Sequence, residues 1–199
     1  MDIDEPKQVN DLWENIYPYI ALQIMESYQR STGEVLELGP FSGGISIGLL
    51  RFYPEFNITI ADSSIEVLQY LKQEILNSGL LQKINFKQTE FNHLDFDDLQ
   101  FDLVILRGAF FFLNEKDNFL AEIFRVLKHG GIAFVGGGFG KDTPQKFIDE
   151  ISEESRELNN RLGRKRINIQ QLETIVKDSG LTDNCKIEEQ GGLWLIARK

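Results

Sequence analysis

Three acidic residues stand where a ligand-binding edge would need them. Glu37 lies in a short apolar run, Val35-Leu36-Glu37-Leu38, which leads into the glycine-rich loop Gly39-Pro40-Phe41-Ser42-Gly43-Gly44. Ile45-Ser46-Ile47-Gly48-Leu49-Leu50 then reads as a helix. Strand, glycine loop and helix in that order put backbone N–H groups and a helix N-terminus at the carboxyl end of a strand, where open α/β sheets bind ligands. Asp62 ends a second apolar run, 19 residues after Gly43. That is close to the distance at which an acid meets a ribose in nucleotide-type folds. Its competing role is to face the N-terminus of the next helix. Glu90 follows the third run, Ile84 to Gln88, and is otherwise an ordinary loop glutamate.

The loop admits two readings. A dinucleotide site needs G-x-G-x-x-G, with the second glycine letting a pyrophosphate touch the backbone. Here that position is Phe41, which speaks against NAD or FAD. The stretch instead resembles the first motif of class I S-adenosylmethionine-dependent methyltransferases, V-L-E-x-G-x-G-x-G. Glu37, Gly39 and Gly43 match it, and Phe41 replaces its middle glycine. Residues 122–131, E-I-F-R-V-L-K-H-G-G, closely resemble the family's E-x-x-R-V-L-K-P-G-G, with His129 in place of the proline.

The resemblance implies S-adenosyl-L-methionine as cofactor and S-adenosyl-L-homocysteine as product. It implies cofactor contacts at Glu37, Gly39, Pro40, Phe41, Gly43, Asp62, Ser63, Glu90, Phe91 and Arg107. Asp62 would take the ribose hydroxyls. Glu90 would take the adenine amine, since an ionised carboxylate only accepts hydrogen bonds. Glu37 would face the ammonium of the methionine part, directly or through water. Arg107 would orient the cofactor's polar end or an anionic substrate. Tyr17, Phe112 and Phe139 are the candidate substrate contacts. The last two follow the fourth and fifth apolar runs, Phe101 to Leu106 and Ile132 to Val135. Consecutive residues Phe110, Phe111 and Phe112 cannot all face one way, so only one of them is expected to border the acceptor.

The remaining elements follow from hydrophobic spacing. Leu12, Ile16, Ile20 and Ile24 recur four apart and predict a helix from about Val9 to Arg30, kinked or split by Pro18. Ser63-Ser64-Ile65-Glu66 has capping-box form before a stripe of Ile65, Leu68, Leu71 and Ile75 that stops at Gly79. Phe119, Leu120, Ile123, Phe124 and Leu127 predict a helix whose last turn carries Arg125, Lys128 and His129, ended by Gly130-Gly131. Thr143 is the expected cap of a charged helix running to about Arg161, with Pro144 as its first residue. Arg161, Arg164, Lys165 and Arg166 form a basic cluster, read as solvated surface or as an anionic-substrate contact. Asn168 opens a further helix, and the chain closes as two strands around Gly191-Gly192.

Alternating strands and helices predict a mostly parallel sheet covered on both faces. The terminal hairpin demands one antiparallel strand. The expected fold is α/β, a Rossmann-like three-layer sandwich, and the resemblance implies strand order 3-2-1-4-5-7-6 with strand 7 antiparallel. A single methyltransferase domain over 1–199 is expected, with 1–31 as a helical cap. The formal net charge of −10 argues against nucleic acid, which favours basic faces. Cys185 is the only cysteine, which excludes an internal disulfide or cysteine-based metal cluster, and no metal-ligand spacing is visible. The N-terminus lacks signal-peptide character and no apolar stretch would span a bilayer, so a cytoplasmic protein with no membrane partner is expected.

These features point to methyl transfer to a small-molecule acceptor by a monomer or homodimer. The alternatives are a non-catalytic S-adenosylmethionine-binding protein of the same fold and a dinucleotide-dependent dehydrogenase. No catalytic base is identified. His93 and His129 are the only histidines, and His129 sits in an expected helix-ending turn.

Overall fold

A computed structural model describes residues 3–112 and 118–199. Helices α1 (Asp4–Trp13) and α2 (Tyr17–Tyr28) precede β1 (Thr32–Leu38), α3 (Gly44–Phe52), β2 (Glu55–Asp62), α4 (Ile65–Ser78), β3 (Ile84–Gln88) and β4 (Phe101–Arg107). Then come α5 (Phe119–Val126), β5 (Leu127–Gly138), α6 (Gln145–Arg161), α7 (Ile169–Asp178), β6 (Cys185–Glu188) and β7 (Gly192–Arg198). The seven strands lie in the order β3-β2-β1-β4-β5-β7-β6. β1 to β5 pair in parallel, and β7 runs antiparallel to both β5 and β6. The expected topology is therefore present in full.

Strand residues alternate between two cores, as a period of two requires. Val35, Ile58, Ile60, Leu103, Ile105 and Phe134 pack beneath α1 to α4 and α6. Leu36, Val104, Leu106, Ala133 and Val135 pack beneath α5 and α7. Glu37 and Arg107 continue the first set by parity, two residues beyond Val35 and Ile105. Both are buried on the face covered by the N-terminal helices.

Several local expectations need correction. The predicted long N-terminal helix is two, and the first starts at Asp4. Pro18 sits in the first turn of α2, where its missing N–H leaves no bond unmade. The cap of α4 is Ser64, not Ser63: its Oγ accepts from Val67 N–H at 3.2 Å. That frame leaves Ile65 exposed and puts Val67 in the core. Helix α5 ends at Val126, so Leu127, Lys128 and His129 belong to β5. Its end is fixed from afar, because Lys199 Nζ donates to the carbonyls of Phe124 at 2.7 Å and Arg125 at 3.1 Å. Lys128 instead pairs with Asp102 at 2.7 Å. Thr143 does not cap α6. Pro144 holds that position, and the Thr143 hydroxyl donates back to the Phe139 carbonyl. Asn168 caps α7 as expected, in a reciprocal box with Gln171.

Candidate functional site

The loop between β1 and α3 is shaped by its glycines. Gly39 has φ +103, a conformation that side chains with a Cβ rarely adopt, and a Cβ there would sit 2.8 Å from that of Ala109. Gly43, at φ +101, is the N-cap of α3. Phe41 does not project over the loop. Its ring is buried against Gly108, where a Cβ would come within 2.9 Å of Cδ2, and lies 5.7 Å from the Phe112 ring. Gly108 thus makes room for the bulk that Phe41 brings.

Glu37 holds this loop from beneath. Its Oε2 accepts from Gly43 N–H at 3.0 Å, Ser46 N–H at 3.2 Å and the Ser46 hydroxyl. Burial pushes its carboxyl pKa up, against those hydrogen bonds and the charge of Arg107. Its other oxygen, Oε1, has no partner among the described residues. Arg107 mirrors it. The guanidinium carbon lies 4.0 Å from the centre of the Trp13 ring and 5.1 Å from that of Tyr17, in cation–π range. Nη1 donates to the Tyr17 hydroxyl at 3.2 Å, and that hydroxyl donates to Asn10 Oδ1. Arg107 Nε is buried without a partner among the described residues, as is Ser42 Oγ. Unmet buried polar groups are costly, and Trp194 Nε1 is a fourth among the described residues.

The other predicted contacts gather along the same edge. Asp62 ends β2, is 3% exposed, and accepts from Ser64 N–H at 2.8 Å through Oδ1. Burial raises its pKa to about 6. The N–H groups of Ser64 and Ser63 oppose that rise, and the nearby Glu90 carboxylate adds to it. Thr89 N–H binds the Asp62 carbonyl at 3.0 Å, which ties the loop after β3 to the end of β2. Glu90 is exposed, and the Phe91 ring reaches the Gly39 position. Pro40 accepts from Asn10 Nδ2 at 3.4 Å. Tyr17 is buried, with its ring packed on Gly44.

Beside this edge is a cavity of about 590 Å³ at the ends of β4, β5 and β7, closed by α1 and α6. Arg107 and Phe139 border it. Phe112 does not: the residue of the trio that lines it is Phe111. Trp13 stacks on Phe139, with centroids 4.9 Å apart and planes within 8°, and its Nε1 donates to the Ser155 hydroxyl at 3.1 Å. Trp13 and the α6 residues Ser155, Arg156 and Asn159 were not among the predicted contacts. Their signal was a polar stripe on α6 at three- and four-residue spacing. His93 lies elsewhere, on a groove with Lys87, Asp95 and Arg125.

The methyltransferase-domain family matches residues 35–131, which span the glycine loop, Asp62, Glu90 and Arg107. A Methanococcus maripaludis protein assigned as an S-adenosyl-L-methionine-dependent methyltransferase superposes with TM-score 0.84 at 25% identity. That match covers 100% of this chain and 93% of that one. Residues 35–131 belong to the methyltransferase-domain family. A methyltransferase from Aquifex aeolicus shares the fold at TM-score 0.68 and 15% identity, over 99% of this chain and 97% of that one. Among curated relatives, the ubiquinone/menaquinone biosynthesis C-methyltransferase UbiE of Erwinia tasmaniensis is 31% identical over 103 residues. That alignment covers 51% of this chain and 41% of the relative, less than half of the relative's length. Among the described residues no helix is long and apolar enough to cross a membrane.

Proposed function

We propose that the chain transfers a methyl group from S-adenosylmethionine to a small-molecule acceptor held in the cavity lined by Phe111 and Phe139. The observation that carries this is the pair of buried, oppositely charged groups at the ends of β1 and β4, each with one polar atom unpaired: Glu37 Oε1 and Arg107 Nε. A methionine tail carries an ammonium and a carboxylate, which match that pair in sign. Asp62 and Glu90, at the ends of β2 and β3, are the acceptors for ribose and adenine. The residues present therefore fit the cofactor.

When bound, the cofactor supplies an activated methyl group on a sulfonium leaving group. The protein's task is then to align acceptor and cofactor and to exclude water, and no general base is demanded unless the acceptor must first lose a proton. Trp13, Phe111 and Phe139 give the acceptor side apolar walls, in keeping with small-molecule sites. A dehydrogenase is disfavoured by the terminal β6–β7 hairpin, which puts an antiparallel strand where a dinucleotide fold continues with a parallel one.

Calorimetry on the purified protein with S-adenosylmethionine, S-adenosylhomocysteine and NAD tests this reading. Saturable binding of both adenosyl ligands, and none of NAD, is expected. Binding of NAD without either adenosyl ligand would overturn it.

A further inference from the structure

The cavity is basic in a chain whose formal net charge is −10. Arg107, Arg156, Arg164 and Arg166 line it, and none of its described lining residues is acidic. The segment that carries Arg164 and Arg166 is anchored rather than loose. Arg164 N–H donates to the Asn159 carbonyl at 2.9 Å, and Lys165 N–H donates to the Phe111 carbonyl at 2.9 Å. The Arg164 guanidinium is thereby held 4.3 Å over the Phe111 ring, on the rim of the cavity.

Among the described residues these cations are poorly neutralised. Among the described residues, neither Arg164 nor Arg166 has a carboxylate within ion-pair distance. Arg156 has only a 3.8 Å contact to Glu153, both side chains being largely exposed, and such a pair contributes little. Arg164 and Arg166 are both exposed at the rim, and partial desolvation together with the like charges of Arg107 and Arg166 holds the Arg164 guanidinium below its ordinary pKa. Like charges converging on a concave, partly apolar surface focus a positive potential there, which concentrates anions.

We infer that the methyl acceptor is a small organic oxyanion, its carboxylate or phosphate group held by Arg164 and Arg166 and its apolar body set between Phe111 and the Trp13–Phe139 stack. Guanidinium groups suit either anion, because their planar donor fork pairs with two oxygens at once. Arg156 and the amide of Asn159 add donors along the same wall. The inference rests on the methyltransferase reading, which makes this cavity the acceptor site.

Calorimetry at low ionic strength tests it with two matched pairs of probes, benzoate against benzamide and phenyl phosphate against phenol, on the full chain. Binding of S-adenosylhomocysteine is titrated separately on the same preparation. At least one anion should bind tenfold or more tightly than its neutral partner, and the preference should weaken as salt is added. The larger of the two ratios distinguishes a carboxylate from a phosphate acceptor. The combined substitution Arg164→Gln and Arg166→Gln should abolish the preference and leave S-adenosylhomocysteine affinity and melting temperature unchanged. Failure of both anions to bind, equal binding of anion and neutral partner, or a preference that survives the double substitution would each overturn the inference. Those results together with intact S-adenosylhomocysteine binding strike the anionic acceptor alone. Loss of S-adenosylhomocysteine binding with retained anion preference strikes the methyltransferase reading, and the acceptor role with it.

Discussion

Glu37→Ala should destabilise the fold by about 3–5 kcal/mol, whereas Glu37→Gln should cost only about 1 kcal/mol. The alanine variant removes the acceptor for Gly43 N–H, Ser46 N–H and the Ser46 hydroxyl at once. Both variants remove the negative charge near the buried Arg107, so the difference between them lies in those three hydrogen bonds and the space left empty. Glutamine keeps an acceptor oxygen for the same donors and avoids burying a charge. Its effect belongs to binding. With no charge to offer an ammonium, Glu37→Gln should weaken S-adenosylhomocysteine at least tenfold, about 1.4 kcal/mol. Thermal melts and calorimetry on the two variants separate these effects. A glutamine variant that binds S-adenosylhomocysteine as tightly as the parent would reduce Glu37 to a loop brace.

Asp62→Ala should weaken S-adenosylhomocysteine binding by about 1–3 kcal/mol, the loss typical of hydrogen bonds made to a charged group. The parent protein should show the same dependence through pH. Burial raises the Asp62 pKa to about 6, so affinity should fall as pH drops below that value and the carboxylate is protonated. Stability moves the opposite way. A raised carboxyl pKa means that the folded state holds the proton more tightly than the unfolded state. The favourable contribution is full below the ordinary carboxyl value of 3.8 and is lost as pH rises through about 6. Asp62→Asn, which stays neutral and can still accept from Ser64 N–H, should therefore melt a few degrees above the parent at pH 7.5 and level with it near pH 4. A difference in melting temperature that does not change with pH would contradict this account of Asp62.

The sheet was legible in the sequence because its strands are short apolar runs bounded by turn residues. Ile84 to Gln88 reads as a strand from those bounds alone and forms β3. Buried parallel strands advertise themselves by continuous apolar character, and β4 does so until Arg107. Glu37, Asp62 and Glu90 were placed on one edge because each ends or follows a strand of the same parallel sheet. What stayed hidden depended on contacts distant in the chain. Helix α5 stops at Val126, where Lys199 Nζ takes the Phe124 and Arg125 carbonyls and Gln100 N–H takes that of Val126 at 2.8 Å, bonds that no local pattern announces. Phe41 replaces the middle glycine of the motif, yet Gly108, 67 residues further on, gives its ring a place to go. The cavity wall was the hardest part to see. Trp13 looks like an ordinary core residue of α1, and Arg164 and Arg166 look like solvated surface. Only the packing of α1 and α6 over the end of β5 brings them together.

A crystal structure of the protein with S-adenosylhomocysteine tests the central claim most directly. Ribose hydroxyls are expected on Asp62, the adenine amine at Glu90, the amino-acid tail between Glu37 and Arg107, and the sulfur turned toward the cavity lined by Phe111 and Phe139. Adenosine bound elsewhere, as in the smaller cavity between α1, α3 and α4, would contradict it. So would a sulfur more than about 10 Å from both Phe111 and Phe139, too far for an acceptor in that cavity to meet the methyl group.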